Sequence, residues 1–141
     1  MNILYPAGAK REWFDRNIVI VMKESSLTGT APHGSTERWR YTVPAGKRAF
    51  VAAANLLVTR ITAAAPVGQV LAWFGIYDGA ASFNLAFAEL FNNAIGAQCN
   101  TVLPNFGWLT AGQQLYAYTN DLSTGGTTNI YQSAQIIAFD A

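Results

Sequence analysis

The chain has 141 residues, of which 51% are hydrophobic, 13% are aromatic and only 12% are charged, and its formal net charge is +1. About a quarter of the residues in an average soluble domain are charged. The aromatic content excludes an intrinsically disordered chain, and the length fits one domain with a substantial core.

The charged residues are unevenly distributed. All nine Lys and Arg residues lie at or before Arg60, whereas residues 61–141 carry four acidic residues and no basic ones: Asp78, Glu89, Asp121 and Asp140. A segment so poor in charge cannot cover itself with the charged surface that an ordinary soluble monomer presents. We therefore expect much of this half to face other protein, which favours an assembled structural protein over a free enzyme.

The first half of the chain is predicted to consist of strands and turns. Residues 17–23 are a β-branched run that predicts a strand, and residues 24–36 are a polar segment with Gly and Pro that predicts a loop. Residues 37–43 alternate between apolar and polar side chains, as in a half-buried strand. A turn at Pro44-Ala45-Gly46 and a long strand over residues 48–62, apolar on both faces, follow.

The second half continues the pattern. We predict a turn at residues 65–68, a strand at 69–77 and a stop at Asp78-Gly79. Residues 82–95 combine helical spacing with strand alternation, and their β neighbours favour a strand. A turn at 109–112, a strand at 113–119, a Gly-rich turn at 123–128 and a strand at 129–140 complete seven or eight strands, which predict a two-sheet sandwich.

Two segments resemble known proteins. Residues 39–49 (WRYTVPAGKRA) resemble a strand–turn–strand of small β-sandwich proteins in tailed bacteriophage virions, and residues 109–119 (LTAGQQLYAYT) are similar to the L-x-A-G-D-x-L strand entry of jelly-roll domains. Those domains include trimeric ones like tumour necrosis factor, and Gln113 stands where an acid is common. The resemblance implies a jelly-roll-like antiparallel β-sandwich of about eight strands. It also implies a virion component, such as a capsid decoration (cement) protein, a small capsid protein or a spike base.

The predicted domain organisation is an N-terminal arm, residues 1–16, followed by one β-sandwich domain, residues 17–141. Trp13 and Phe14 form an aromatic pair within the otherwise polar arm. Tryptophan offers a large contact area with few rotatable bonds. The pair is a candidate anchor on a neighbouring subunit, and folding back onto its own sandwich is the equally favoured alternative.

Four basic residues form a second group of candidate assembly contacts. Arg38, Arg40, Lys47 and Arg48 flank one turn, with Glu37 the only adjacent acid. They suit an acidic surface on a major capsid protein or another virion protein. The nearly neutral chain and the absence of a recognition motif disfavour nucleic acid as the partner.

The sequence argues against an enzyme. His33 is the only histidine and Cys99 the only cysteine, so one chain cannot form a two-histidine metal site or an internal disulfide. Asp78 and Asp121 are each next to a turn signal, where carboxylates commonly stabilise the turn rather than act in pairs on a substrate. No phosphate-binding loop is present. We therefore expect no catalytic residue, cofactor or metal.

The sequence also predicts location. The low-charge tracts are broken by Pro and Gly and are too short for a membrane-spanning helix. Lys10, Arg11 and Glu12 stand where a signal peptide would be apolar. We expect synthesis in the host cytoplasm without export, and residence in the virion.

Two functions are compatible with these features. The first is a virion structural protein that self-associates, as a trimer, and stabilises a capsid lattice. The alternative is a carbohydrate- or receptor-binding module on a phage head or tail. In that case Trp39, Trp108, Tyr116 or Tyr118 would provide stacking surfaces for a glycan.

Overall fold

A computed structural model describes residues 18–30, 34–62, 69–90, 95–121 and 126–141 of the chain. Every regular element in these ranges is a strand. The eight strands are β1 (Val19–Thr30), β2 (Gly34–Thr42), β3 (Lys47–Thr62), β4 (Val70–Tyr77), β5 (Ser82–Leu90), β6 (Gln98–Thr110), β7 (Gln114–Asp121) and β8 (Thr127–Asp140). No helix with the length and apolarity to cross a membrane occurs among the described residues.

The strands form two four-stranded antiparallel sheets that pack face to face. The first sheet has the order β1-β8-β3-β6 and the second the order β2-β7-β4-β5. Eight strands shared in this way between two sheets make a jelly roll. The predicted fold class and the approximate strand number are therefore confirmed.

Two segments differ from the prediction. The loop predicted over residues 24–36 is wrong, because residues 24–30 continue β1, paired with β8 as far as Thr30, and β2 begins at Gly34. Strand β6 was not predicted at all. It is an edge strand that contains Pro104 and Gly107, and such residues are tolerated where only one side of a strand is paired.

The ambiguous segment at 82–95 is a strand from Ser82 to Leu90, as its neighbours suggested, and residues 91–94 lie outside the described ranges. The predicted turn at 65–68 lies outside them as well, and so do residues 123–125 of the turn predicted at 123–128. The end of that turn is wrong, because β8 already begins at Thr127. Simple alternation along the strand predicted at 48–62 puts Phe50 on one face with Ala54, and this grouping is wrong. A register shift between Val51 and Ala53 directs Val51 into the core together with Ala54 and leaves Phe50 on the outer face.

The two Ala-Gly turns form as predicted, but neither closes a hairpin. Strand β2 pairs with β7, and β3 pairs with β6 and β8, so each turn carries the chain from one sheet to the other. Gly46 and Gly112 have φ values of 72° and 84°, which favour glycine. The turns are neighbours, since the Val43 N–H donates to Gln113 O and the Gly112 N–H to Val43 O, both at 3.0 Å.

The core lies between the sheets and consists of the inward side chains of both. Tyr41 and Val43, predicted to share a face of β2 and its extension, are both buried there. The largest fully buried apolar side chains are Val43, Val51, Leu56, Val58, Val70, Phe74, Leu109, Leu115, Ile130 and Ile136. Packing of this kind orients the opposite side chain of each strand outward, and it thereby fixes the two outer faces and the edges of the sandwich.

Candidate binding and assembly surfaces

One edge of the sandwich exposes large apolar side chains. Strands β5 and β6 are the outermost strands of the two sheets on this side. Six large apolar residues of these strands and of the turn before β6 are 40–71% exposed: Phe83, Leu85, Phe87, Ile95, Val102 and Trp108. Four of them, Phe83, Leu85, Ile95 and Val102, define the β5–β6 edge. Between Gly79 and Thr110 the only charged residue is Glu89, so the edge is both apolar and nearly uncharged.

The local sequence of β5 explains this exposure. Ala86 and Ala88 are buried in the core, so the large side chains of β5 belong to its other residues. The register shifts where Phe74 pairs with Ala86 and Gly75 pairs with Asn84, which leaves Leu85 as an extra, unpaired residue. Bulges of this kind re-aim side chains at sheet edges.

A second apolar patch lies on the opposite edge of the first sheet. Strand β1 is the outermost strand there, and its residues Ile20 and Met22 are each 60% exposed. Together with the neighbouring Val19 they define the β1 edge. The two apolar edges are therefore separated by the width of the first sheet.

The outer face of the second sheet, the aromatic face, carries aromatic rings beside polar side chains. A groove of about 360 Å³ crosses it. Trp73 pairs with Tyr118 across β4 and β7, and their ring centroids are 5.0 Å apart. The groove is lined by Glu37, Arg40, Trp73, Tyr77, Ser82, Asn84, Tyr116 and Tyr118.

Gly75 allows the Tyr116 ring to lie across β4. The two residues are register partners, and a Cβ on Gly75 would lie 2.2 Å from the Tyr116 hydroxyl oxygen. No other residue type leaves room for the ring in this position. The floor of the groove is therefore formed by the Tyr116 ring lying directly against the Gly75 backbone.

A charged pair borders the groove at β2. The Arg40 guanidinium donates to both carboxylate oxygens of Glu37, at 3.0 and 2.5 Å, and to Gln114 Oε1 at 2.5 Å. It also lies 5.8 Å from the centre of the Tyr116 ring. The hydrogen bond with Glu37 raises the pKa of Arg40. These contacts hold a cation in place and neutralise it with an adjacent anion.

A buried amide ties the aromatic face to the opposite sheet. Gln132 of β8 is fully buried, and its Nε2 donates to the backbone carbonyls of Trp73 at 3.2 Å and Tyr118 at 3.0 Å. These are the two residues whose rings pack against each other, tilted by 32°, on the outer face. The position of the ring pair is thus linked to the core.

The structure separates the four aromatic residues suggested as glycan platforms. Tyr116 and Tyr118 line the groove. Trp39 points inward and packs on Phe74, with ring centroids 5.5 Å apart. Trp108 is on the outer face of the other sheet, against Phe50 and Phe139.

Two further groove residues, Trp73 and Tyr77, were missed by the sequence reading. Their spacing around Gly75, two residues away on either side in a predicted strand, places all three on one face. This alternation was the available signal.

The candidate assembly residues are distributed as follows. Trp13, Phe14 and the rest of the predicted arm lie outside the described residues. Arg38 and Arg40 are on β2, and Lys47 and Arg48 begin β3, so all four flank the same turn but belong to different sheets.

Within the part of the chain that the structure describes, two of the four basic residues have acidic partners. Arg40 pairs with Glu37, and Lys47 pairs with Asp140 of β8. Arg48 is exposed and Arg38 is half-buried. Contact of any of the four with another protein remains a prediction.

Asp78 stabilises the turn between β4 and β5. Its carboxylate accepts the backbone N–H groups of Ala81 at 2.8 Å and Ala80 at 2.9 Å. These hydrogen bonds lower the pKa of Asp78. Cys99 is half-buried and packs against the core.

No protein-family model matches the chain, and no curated protein matches it. Among solved structures it is similar to a protein of Bacillus endospore appendages, which form disulfide-linked pili, with 13% identity, a TM-score of 0.42 and coverage of 99% of this chain and 98% of that one. A protein of infectious bursal disease virus, strain Gt, is 13% identical with a TM-score of 0.46, over 97% of this chain and 38% of the viral one.

A carbohydrate-binding module solved with β-1,4-galactotriose is 10% identical, with a TM-score of 0.41 and 89% of each chain covered. At such identities and TM-scores, the functions of these proteins do not pass to this chain. The jelly roll rests on the strand order itself.

Proposed function

We propose that the chain is a structural subunit of a virion that self-associates, as a trimer, and adds to a capsid lattice. The observation that carries the proposal is the β5–β6 edge, where large apolar side chains are exposed beside a single charge. Contiguous exposed apolar surface marks a contact site on a soluble protein. Eight-stranded jelly rolls are a common building unit of viral capsids, which supports the virion role.

The presence of two apolar edges supports a cyclic assembly. A two-fold dimer needs only one self-complementary patch, whereas a closed ring of three copies joins two different patches on each subunit. The β5–β6 edge and the β1 edge lie on opposite sides of the first sheet. In the proposed trimer the β5–β6 edge of one copy packs against the β1 edge of the next.

Native mass spectrometry of the full chain tests this arrangement. We expect a trimer for the wild type, and monomers for two double variants, Phe83→Lys/Val102→Lys and Ile20→Lys/Met22→Lys. The control Thr42→Lys/Thr62→Lys adds the same charge at exposed polar positions and should remain trimeric. Circular dichroism confirms that each variant is folded.

Mixing the two monomeric variants distinguishes the interface types. Each variant keeps the edge that the other has lost, so joining of different edges predicts a 1:1 heterodimer in the mixture. A mixture that stays monomeric, a wild-type monomer or an open filament would overturn the proposed trimer. The virion role is tested separately, by pelleting the wild-type chain with empty particles assembled from the major capsid protein of the same genome. Absence of co-pelleting would overturn it.

A further inference from the structure

We infer that the aromatic face is a binding site for a neutral oligosaccharide, with Trp73 and Tyr118 as the stacking surface, the buried Tyr116 as its floor, and Arg40, Glu37 and Asn84 as hydrogen-bonding groups. This second function does not depend on the proposed assembly, because it uses the outer face of the second sheet and neither of the two apolar edges.

The shape of the face suits an extended ligand. A second groove, of about 310 Å³, adjoins the first and shares Trp73 and Asn84 with it. It reaches Phe87 and Glu89 on β5. From β2 to β5 the two grooves cross three inter-strand spacings of about 4.8 Å each, or roughly 14 Å in total. A site of this length has room for more than one sugar ring.

The lining chemistry suits a sugar. An aromatic ring has a negative face, and one face of a pyranose presents weakly positive C–H groups that pack against it. The rim of the sugar carries hydroxyl groups, which need donors and acceptors at the border of the ring. Arg40, Glu37 and Asn84 provide guanidinium, carboxylate and amide groups at that border.

The charge of the two grooves selects against anionic ligands, because Glu37 balances Arg40 and Glu89 adds a negative charge. The one cation of the first groove, Arg40, is hydrogen-bonded to Glu37, and in the second groove Glu89 accepts a hydrogen bond from Gln69. Single-stranded nucleic acid also stacks on aromatic rings, but its binding needs an excess of positive charge along the backbone. The observations therefore favour a neutral ligand.

The site is also organised before a ligand arrives. Tyr116 is only 8% exposed and lies over Gly75, the carbonyls of Trp73 and Tyr118 accept hydrogen bonds from Gln132, and three hydrogen bonds fix Arg40. Side chains that are already ordered lose little entropy when a ligand binds.

The test is a printed array of neutral and acidic oligosaccharides and single-stranded DNA, probed with the labelled full chain, followed by titration calorimetry on the sugars that bind. We expect neutral oligosaccharides to bind, and Tyr118→Ala to weaken their binding at least about tenfold. Asn84→Ala, at an exposed position that tolerates the change, should weaken it as well. The matched control is Trp108→Ala, which removes an aromatic ring from the opposite face and should leave the affinity unchanged.

Several outcomes would overturn the inference. These are no neutral oligosaccharide bound at millimolar concentration, binding of single-stranded DNA or acidic sugars alone, or equal loss in Tyr118→Ala and Trp108→Ala. The variant Phe83→Lys/Val102→Lys separates the two proposals. As a monomer it should still bind the oligosaccharide with the same affinity per chain in calorimetry. Loss of the trimer would then leave the glycan site intact, and loss of glycan binding would leave the trimer intact.

Discussion

The β5–β6 edge and the aromatic face are both rich in large side chains, yet they differ in what surrounds those side chains. Val102 at the edge is 59% exposed, whereas Tyr116 on the aromatic face is 8% exposed and packs over Gly75. Rings on the aromatic face stand beside fixed polar groups, and the edge has almost none. Exposed apolar surface without polar partners suits burial against another protein, and supported rings with a polar border suit a small ligand.

The largest effect on the aromatic face is expected from removing the Gln132 amide, which is hydrogen-bonded to the backbone of Trp73 and Tyr118. Gln132→Leu has a similar volume but removes the amide group that donates to the carbonyls of these two residues. We expect a loss of about 2–3 kcal/mol in the free energy of unfolding, measured by urea denaturation, and weaker glycan binding with the same oligomeric mass. The control Gln135→Leu changes a half-exposed residue of the same strand. Equal stability of the two variants would show that the buried amide has no structural role.

Gly75 offers a smaller and more local perturbation of the aromatic face. Gly75→Ala places a methyl group against the Tyr116 ring, so the ring must move, and we expect a destabilisation of about 1–2 kcal/mol. Thermal or urea unfolding measures it.

A double-mutant cycle isolates the contact. In a Tyr116→Ala background the penalty of Gly75→Ala should disappear, because the atoms nearest to the added methyl group all belong to the Tyr116 side chain. The same penalty in both backgrounds would mean that the glycine is needed by the backbone and not by the tyrosine.

Local alternation was enough to predict much of the sandwich. Trp39, Tyr41 and Val43 do share the inward side, because a half-buried strand shows its period in its own residues. The second half of β1 and all of β6 were missed for the opposite reason. Their Gly, Ser, Asn and Pro residues have little strand preference, and pairing with β8 and β3 supplies the hydrogen bonds that hold them extended.

The aromatic face was only partly predictable. Tyr116 and Tyr118 alternate within one predicted strand, so their shared face was predictable. Their proximity to Trp73 depends on the register between β4 and β7, which joins residues far apart in the chain. Trp108 is closer in sequence to Tyr116 than Trp73 is, yet it lies on the opposite side of the sandwich. The turn at Gly112 moves the chain from one sheet to the other, and no local pattern reveals that crossing.

The smallest expected effect concerns Asp78. Its turn precedes β5, the strand that contributes residues both to the β5–β6 edge and to the aromatic face. Hydrogen bonds from Ala81 and Ala80 lower its pKa below the ordinary value of 3.8. A lowered pKa in the folded state contributes stability above the unfolded-state value, and this contribution is lost as the pH falls through the folded-state pKa. Asp78→Asn keeps an oxygen acceptor but no charge, so the wild-type advantage in Tm should shrink from about pH 5 to about pH 2. A constant difference over that range would mean that only the hydrogen bonds matter, and the turn would then hold β5 in place without help from charge.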